Sequence, residues 1–120
     1  MGLDMYAYRT RKQIPPVDFD EPDDAEQIAY WRKHPNLHGW MHKLYKANDG
    51  EREFNCVPVQ LLAADLDALE LALQTSSLPE TCGFFFGETR PEEIDEDFSF
   101  IAKAREALRD GYFVYYRSWW

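Results

Sequence analysis

The chain opens on an alternation. Leu3, Met5, Ala7 and Arg9 fall on one side of an extended segment over residues 3–10, with Tyr6 and Tyr8 on the other, the period of a first strand. Between Gln13 and Asp24 the pattern lapses into Pro15, Pro16 and Pro22 among Asp18, Asp20, Glu21, Asp23 and Asp24. Prolines fix φ and withhold a donor, so residues 13–25 are expected to form a mobile acidic loop. It lacks the glycine turn and terminal Glu of a calcium loop. From about Ala25 to Lys46 apolar residues return at helical intervals: Ile28, Trp31, His38, Met41 and Tyr45, on a face widened by Leu37, Trp40 and Leu44. The spacing predicts a first helix, with a kink or break near His34 where Pro35 removes a donor and disfavours helical angles in the residue before it. Asn48-Asp49-Gly50 supplies the turn that ends it.

Phe54 to Val59 reads as a second strand, confined by Pro58 to an edge or a strand end. Leu62, Leu66, Leu69 and Leu73 then make one stripe of a helix over residues 61–74. Phe84-Phe85-Phe86 between Gly83 and Gly87 predicts a short interior strand, because large rings would stand on both faces. Thr89, Pro91 and Glu92 carry the signature of a helix start. The helix that follows shows Ile94, Phe98, Ile101, Arg105 and Leu108 on one face and ends at Gly111. Residues 112–118 alternate as a last strand. The expected fold is one domain over residues 1–120, α+β or small α/β: a four-stranded sheet packed with three helices, in the order β-α-β-α-β-α-β.

Composition narrows the function. The 120 residues hold 22 acidic and 13 basic side chains, and the net charge of -9 falls mainly on residues 61–120. A field of that sign repels phosphate, and neither a basic stripe nor an arginine-rich helix reverses it locally, so direct nucleic-acid binding is not expected. No apolar stretch reaches the roughly 18 residues of a membrane span. Cys56 and Cys82 lack a Cys-x-x-Cys spacing; Cys56 is expected to pack as a small hydrophobe, and both thiols fit a reducing, cytoplasmic setting.

Candidate chemistry gathers in the first helix. His34, His38 and His42 recur every four residues, and two histidines so spaced can chelate a metal when other donors complete the shell. His38 and His42 therefore define an alternative reading as a metal-binding protein or metal-dependent enzyme. Against it stand the break at Pro35, the lack of a His-Glu-x-x-His pattern, and the role of His38 as a buried core histidine. Trp31, Arg32, Lys33, His38 and Trp40 make a candidate binding surface, since an Arg beside indoles stacks well and presents a planar fork to an anionic group. No Ser, Cys or Thr can be tied to a base by spacing, so no catalytic residue and no cofactor is expected. Glu92, Glu93, Asp95, Glu96 and Asp97 open the third helix, where a solvated acidic turn complements the helix dipole.

Several blocks together resemble a family of small phage and prophage-encoded proteins: Met1-Gly2-Leu3-Asp4-Met5-Tyr6, Tyr30-Trp31-Arg32-Lys33 with His38 and Trp40, Gly83-Phe84-Phe85-Phe86-Gly87, and the closing Ser118-Trp119. The resemblance runs over nearly the whole chain and implies no defined reaction. Some members carry a kinase label, which the absence of a Gly-rich phosphate loop here does not support. His34-Pro35-Asn36 stands where the family often has Ala-Asn. The resulting expectation is a non-enzymatic accessory protein that binds a host or phage macromolecule, a protein partner, through an acidic and aromatic surface. The aromatics at Trp119 and Trp120 would suit a homodimer interface.

Overall fold

The alternating segment at the start becomes a central strand. In the computed structural model, which describes residues 2–83 and 87–120, β1 (Asp4–Thr10) pairs on one side with β2 (Glu26–Arg32) and on the other with β4 (Phe113–Trp119). The short β3 (Val59–Leu61) pairs with β4, giving an antiparallel sheet in the order β2-β1-β4-β3. Three helices complete the fold: α1 (Pro35–Ala47), α2 (Ala63–Gln74) and α3 (Glu93–Arg109). The expected α+β class, with four strands and three helices, is what forms.

Along the chain, however, the described elements run β-β-α-β-α-α-β. The difference lies in residues 26–32, expected as helix. Ala29 faces Ala7 and Gln27 faces Tyr8, which leaves Ile28 as an extra residue in β2. That bulge breaks the two-residue alternation and gives Ile28 and Trp31 a three-residue spacing that imitates a helix. The break at His34 is real: its φ of -113° and ψ of 72° lie outside the helical region, and α1 begins at Pro35. The strand expected at Phe84–Phe86 lies outside the described residues. The strand expected over residues 54–59 shrinks to Val59–Leu61, because the chain before it follows an irregular path with Cys56 at a φ of 62°. Cys56 is exposed there rather than packed.

Leu3, Met5, Ala7, Trp31, Val59, Leu61, Val114 and Tyr116 face the helices, and a continuous core joins them to Leu37, Met41, Leu66, Leu69, Phe100 and Ile101. The loop expected to be mobile is tied down. Val17 bridges Val59 and the Gln60 N–H donates to the Pro16 carbonyl, covering the free edge of β3. The loop then crosses the outer face, where Phe19 meets Tyr115 edge-on and Glu21 pairs with Arg117 at 3.0 Å. Among the described residues no helix is long and apolar enough to cross a membrane.

Candidate functional site

Because strand side chains alternate, residues of one strand separate onto two sides of the sheet. Trp31 turns inward and is 3 % exposed, while Arg32 turns outward and Lys33, at a φ of 56°, leaves the strand exposed. His38 is buried on α1 and Trp40 is half-buried. The five residues expected as one binding surface thus do not converge: Trp31 and His38 belong to the core, and Arg32 belongs to the opposite face. Helical spacing groups them on one face, whereas Trp31 and Arg32 lie in β2 and His38 and Trp40 in α1.

The outward face carries its own set. Tyr6, Tyr8, Tyr30, Tyr115, Arg117 and Trp119 share it with Asp4 and Arg32. Tyr30 and Tyr6 pack with centroids 5.3 Å apart, Tyr6 and Tyr8 stack at 6.1 Å, and Tyr8 and Tyr115 stack at 5.1 Å. The acidic loop covers the Tyr115 end, whereas Tyr30 (46 %) and Trp119 (60 %) stay exposed at the other. Asp4 organises that open end, accepting from the Tyr30 hydroxyl at 2.6 Å and pairing with Arg32 at 3.5 Å. The bond to Asp4 holds the Tyr30 phenol above its ordinary pKa. Beside it lies a hollow of about 170 Å³ lined by Gly2, Asp4, Arg32, Trp119 and Trp120. Trp120 is anchored within the chain, its indole N–H donating to the Phe54 carbonyl at 2.8 Å.

His38 and His42 do not assemble a metal centre. Both rings stack on Phe54, at 5.0 and 5.1 Å, and His38 Nδ1 shares a hydrogen bond with the Tyr116 hydroxyl at 2.7 Å. Burial pushes His38 down to about 3, with the nearby His42 adding to the effect. Among the described residues no group of three or more His, Cys, Asp or Glu side chains could hold a metal ion.

On the helix side, polar groups meet in a place the sequence did not suggest. His34, at the N-cap position of α1, is 1 % exposed, with Nε2 at 2.8 Å from Asp97 and Nδ1 at 3.0 Å from the Thr89 hydroxyl. Asp97 also accepts from the Trp31 indole at 3.0 Å, and Glu93 lies 3.3 Å from His34 Nδ1. Glu93 and Asp97, expected as solvated, are buried because α3 packs Asp97, Phe100, Ile101, Ala104 and Ala107 inward, a stripe rotated from the expected one. The i, i+4 spacing of Glu93 and Asp97 in front of that stripe was the available signal. Thr89 does not cap α3; its hydroxyl accepts the Asn36 N–H at the start of α1, 3.0 Å away. The cluster forms one wall of a pocket of about 190 Å³ whose other walls include Leu73, Leu78 and Ile94. Compared with family models, with curated proteins and with solved structures, the chain matches none of them.

Proposed function

We propose that this chain is an accessory protein of phage or prophage type that binds a protein partner through the outward aromatic face of its sheet. The segment it receives is basic. The observation that carries this reading is the exposed Tyr30, continuous with Tyr6 and Tyr8, and the exposed Trp119 on the same face, on a chain of net charge -9. Aromatic faces attract Lys and Arg side chains, and an acidic surround raises the encounter rate of a positively charged segment. Arg32 and Arg117 on the same face are matched by Asp4 and Glu21, so neither offers an uncompensated charge to a phosphate. The two free, exposed thiols suit a reducing, cytoplasmic setting.

The test is a titration of the intact protein with a short Lys/Arg-rich peptide, followed by tryptophan fluorescence, alongside a Glu-rich peptide and a single-stranded oligonucleotide. The expected result is saturable binding of the basic peptide alone, weakening with salt. Replacing Tyr30 and Trp119 together by Ala should cut the affinity by about tenfold or more. Equal binding of the oligonucleotide, loss of the binding site into a Trp119-mediated dimer, or indifference to the double substitution would each overturn it.

A further inference from the structure

The pocket on the helix side brings together three groups in the relation that nucleophilic catalysis needs. Asp97 is fixed by the Trp31 indole N–H at 3.0 Å and holds His34 Nε2 at 2.8 Å. A neutral ring that donates from Nε2 to this carboxylate offers its Nδ1 to the Thr89 hydroxyl, 3.0 Å away. Asp97 and His34 are 1 % exposed, whereas Thr89 is half-buried and lines the pocket. A hydroxyl facing a cavity, a base behind it and a carboxylate orienting the base are recognised by geometry and roles, whatever their order in the chain. We infer that Thr89, His34 and Asp97 hydrolyse small acyl esters in this pocket.

The step balances with water as the second reactant. Thr89 Oγ forms a bond to the ester carbonyl carbon as its proton passes to His34 Nδ1, and the carbonyl π pair moves onto oxygen. Collapse of that adduct breaks the bond to the alkoxy oxygen, which takes the proton from His34 and departs as the alcohol. Water then attacks the Thr89 acyl ester, gives a proton to His34, and the acid leaves as Thr89 regains its own. Asp97 at 2.8 Å from Nε2 and Glu93 at 3.3 Å from Nδ1 flank the ring that carries the proton in each half. Glu93 is kept in position by the Arg90 N–H at 3.1 Å. Asn36 lines the same wall, with its Oδ1 occupied by the Thr81 N–H at 3.1 Å, which leaves its amide nitrogen as the side chain's donor. A volume of about 190 Å³ with Leu73, Leu78 and Ile94 around it favours a short apolar acyl chain.

The experiment incubates the whole protein with 4-nitrophenyl butyrate, follows nitrophenol release, and maps acylation by peptide mass spectrometry. Expected are catalytic turnover, an acyl group on the peptide containing Thr89, and retention of activity in Thr89→Ser. Thr89→Val, which fills the same space without a nucleophile, should lose about a hundredfold or more. Acylation found only on lysines or tyrosines of the wild-type protein, or a folded Thr89→Val variant as fast as the wild type, would overturn the assignment. Mapping on the wild-type protein decides the matter even if a variant fails to fold.

Discussion

His38 sits 2 % exposed with its Nδ1 2.7 Å from the Tyr116 hydroxyl, and burial holds it neutral down to about pH 3. An unfolded chain would protonate the same ring near its ordinary value of about 6.5. Between these values the unfolded state binds a proton that the native state refuses, so stability present at neutral pH is lost as the pH falls. The loss is about 1.4 kcal/mol for each pH unit well below 6.5. Urea unfolding at pH 7 and pH 5 should therefore show the wild type losing about 2 kcal/mol more than His38→Gln, which cannot titrate. An equal loss in the two proteins would place the acid sensitivity elsewhere. That His38 is buried was legible, since it lies on the apolar stripe of α1. Its partner was not, because Tyr116 is 78 residues away in sequence and meets it only through the sheet. The same limit hid His34, whose partners Thr89 and Asp97 arrive from beyond the next strand and helix.

Elements were legible where one periodicity ran without interruption. α2 follows its leucines, although Leu62 lies outside the helix and is 54 % exposed while Ala72 takes an inward place. β2 was misread because one bulged residue made a strand resemble a helix, and the α3 stripe was displaced because two acids occupy inward positions that apolar spacing does not mark. The contact of α1 with the segment after α2 gives a test of element packing. Gly39 lies on the buried side of α1, and a Cβ added there would approach the Thr81 Cβ to 2.9 Å and overlap its hydroxyl. In an open helix Gly→Ala gains about 1 kcal/mol. Here Gly39→Ala should instead cost about 1–3 kcal/mol through overpacking, measured by urea unfolding. Adding Thr81→Gly to that variant should restore most of the loss. A Gly39→Ala protein more stable than the wild type would show that residues 79–82 do not rest on α1.

At the scale of the molecule, the sheet separates two surfaces that differ in chemistry. Acidic charge was legible as composition, but its division was not: Glu21 ties the acidic loop over the outer face through Arg117, Asp18 accepts from Tyr45 of α1, and Glu93 and Asp97 turn inward on the helix side around His34. The aromatics divide likewise, with Tyr30 and Trp119 outward and Trp31 and Tyr116 inward. Strand order decides this division, and strand order depends on pairing between β1 and β4, the two ends of the chain. A layer of packed side chains lies between the exposed platform and the Thr89 pocket, and no residue lines both. Substitutions at well-separated sites act independently. Trp119→Ala should accordingly weaken binding of a basic peptide while leaving ester hydrolysis within about twofold of the wild type. Thr89→Val should do the reverse, abolishing hydrolysis with peptide affinity unchanged. Paired measurements on both variants check this. If Trp119→Ala slowed hydrolysis and Thr89→Val weakened peptide binding to similar extents, the two activities would share one site, and the sheet would not be the partition between them.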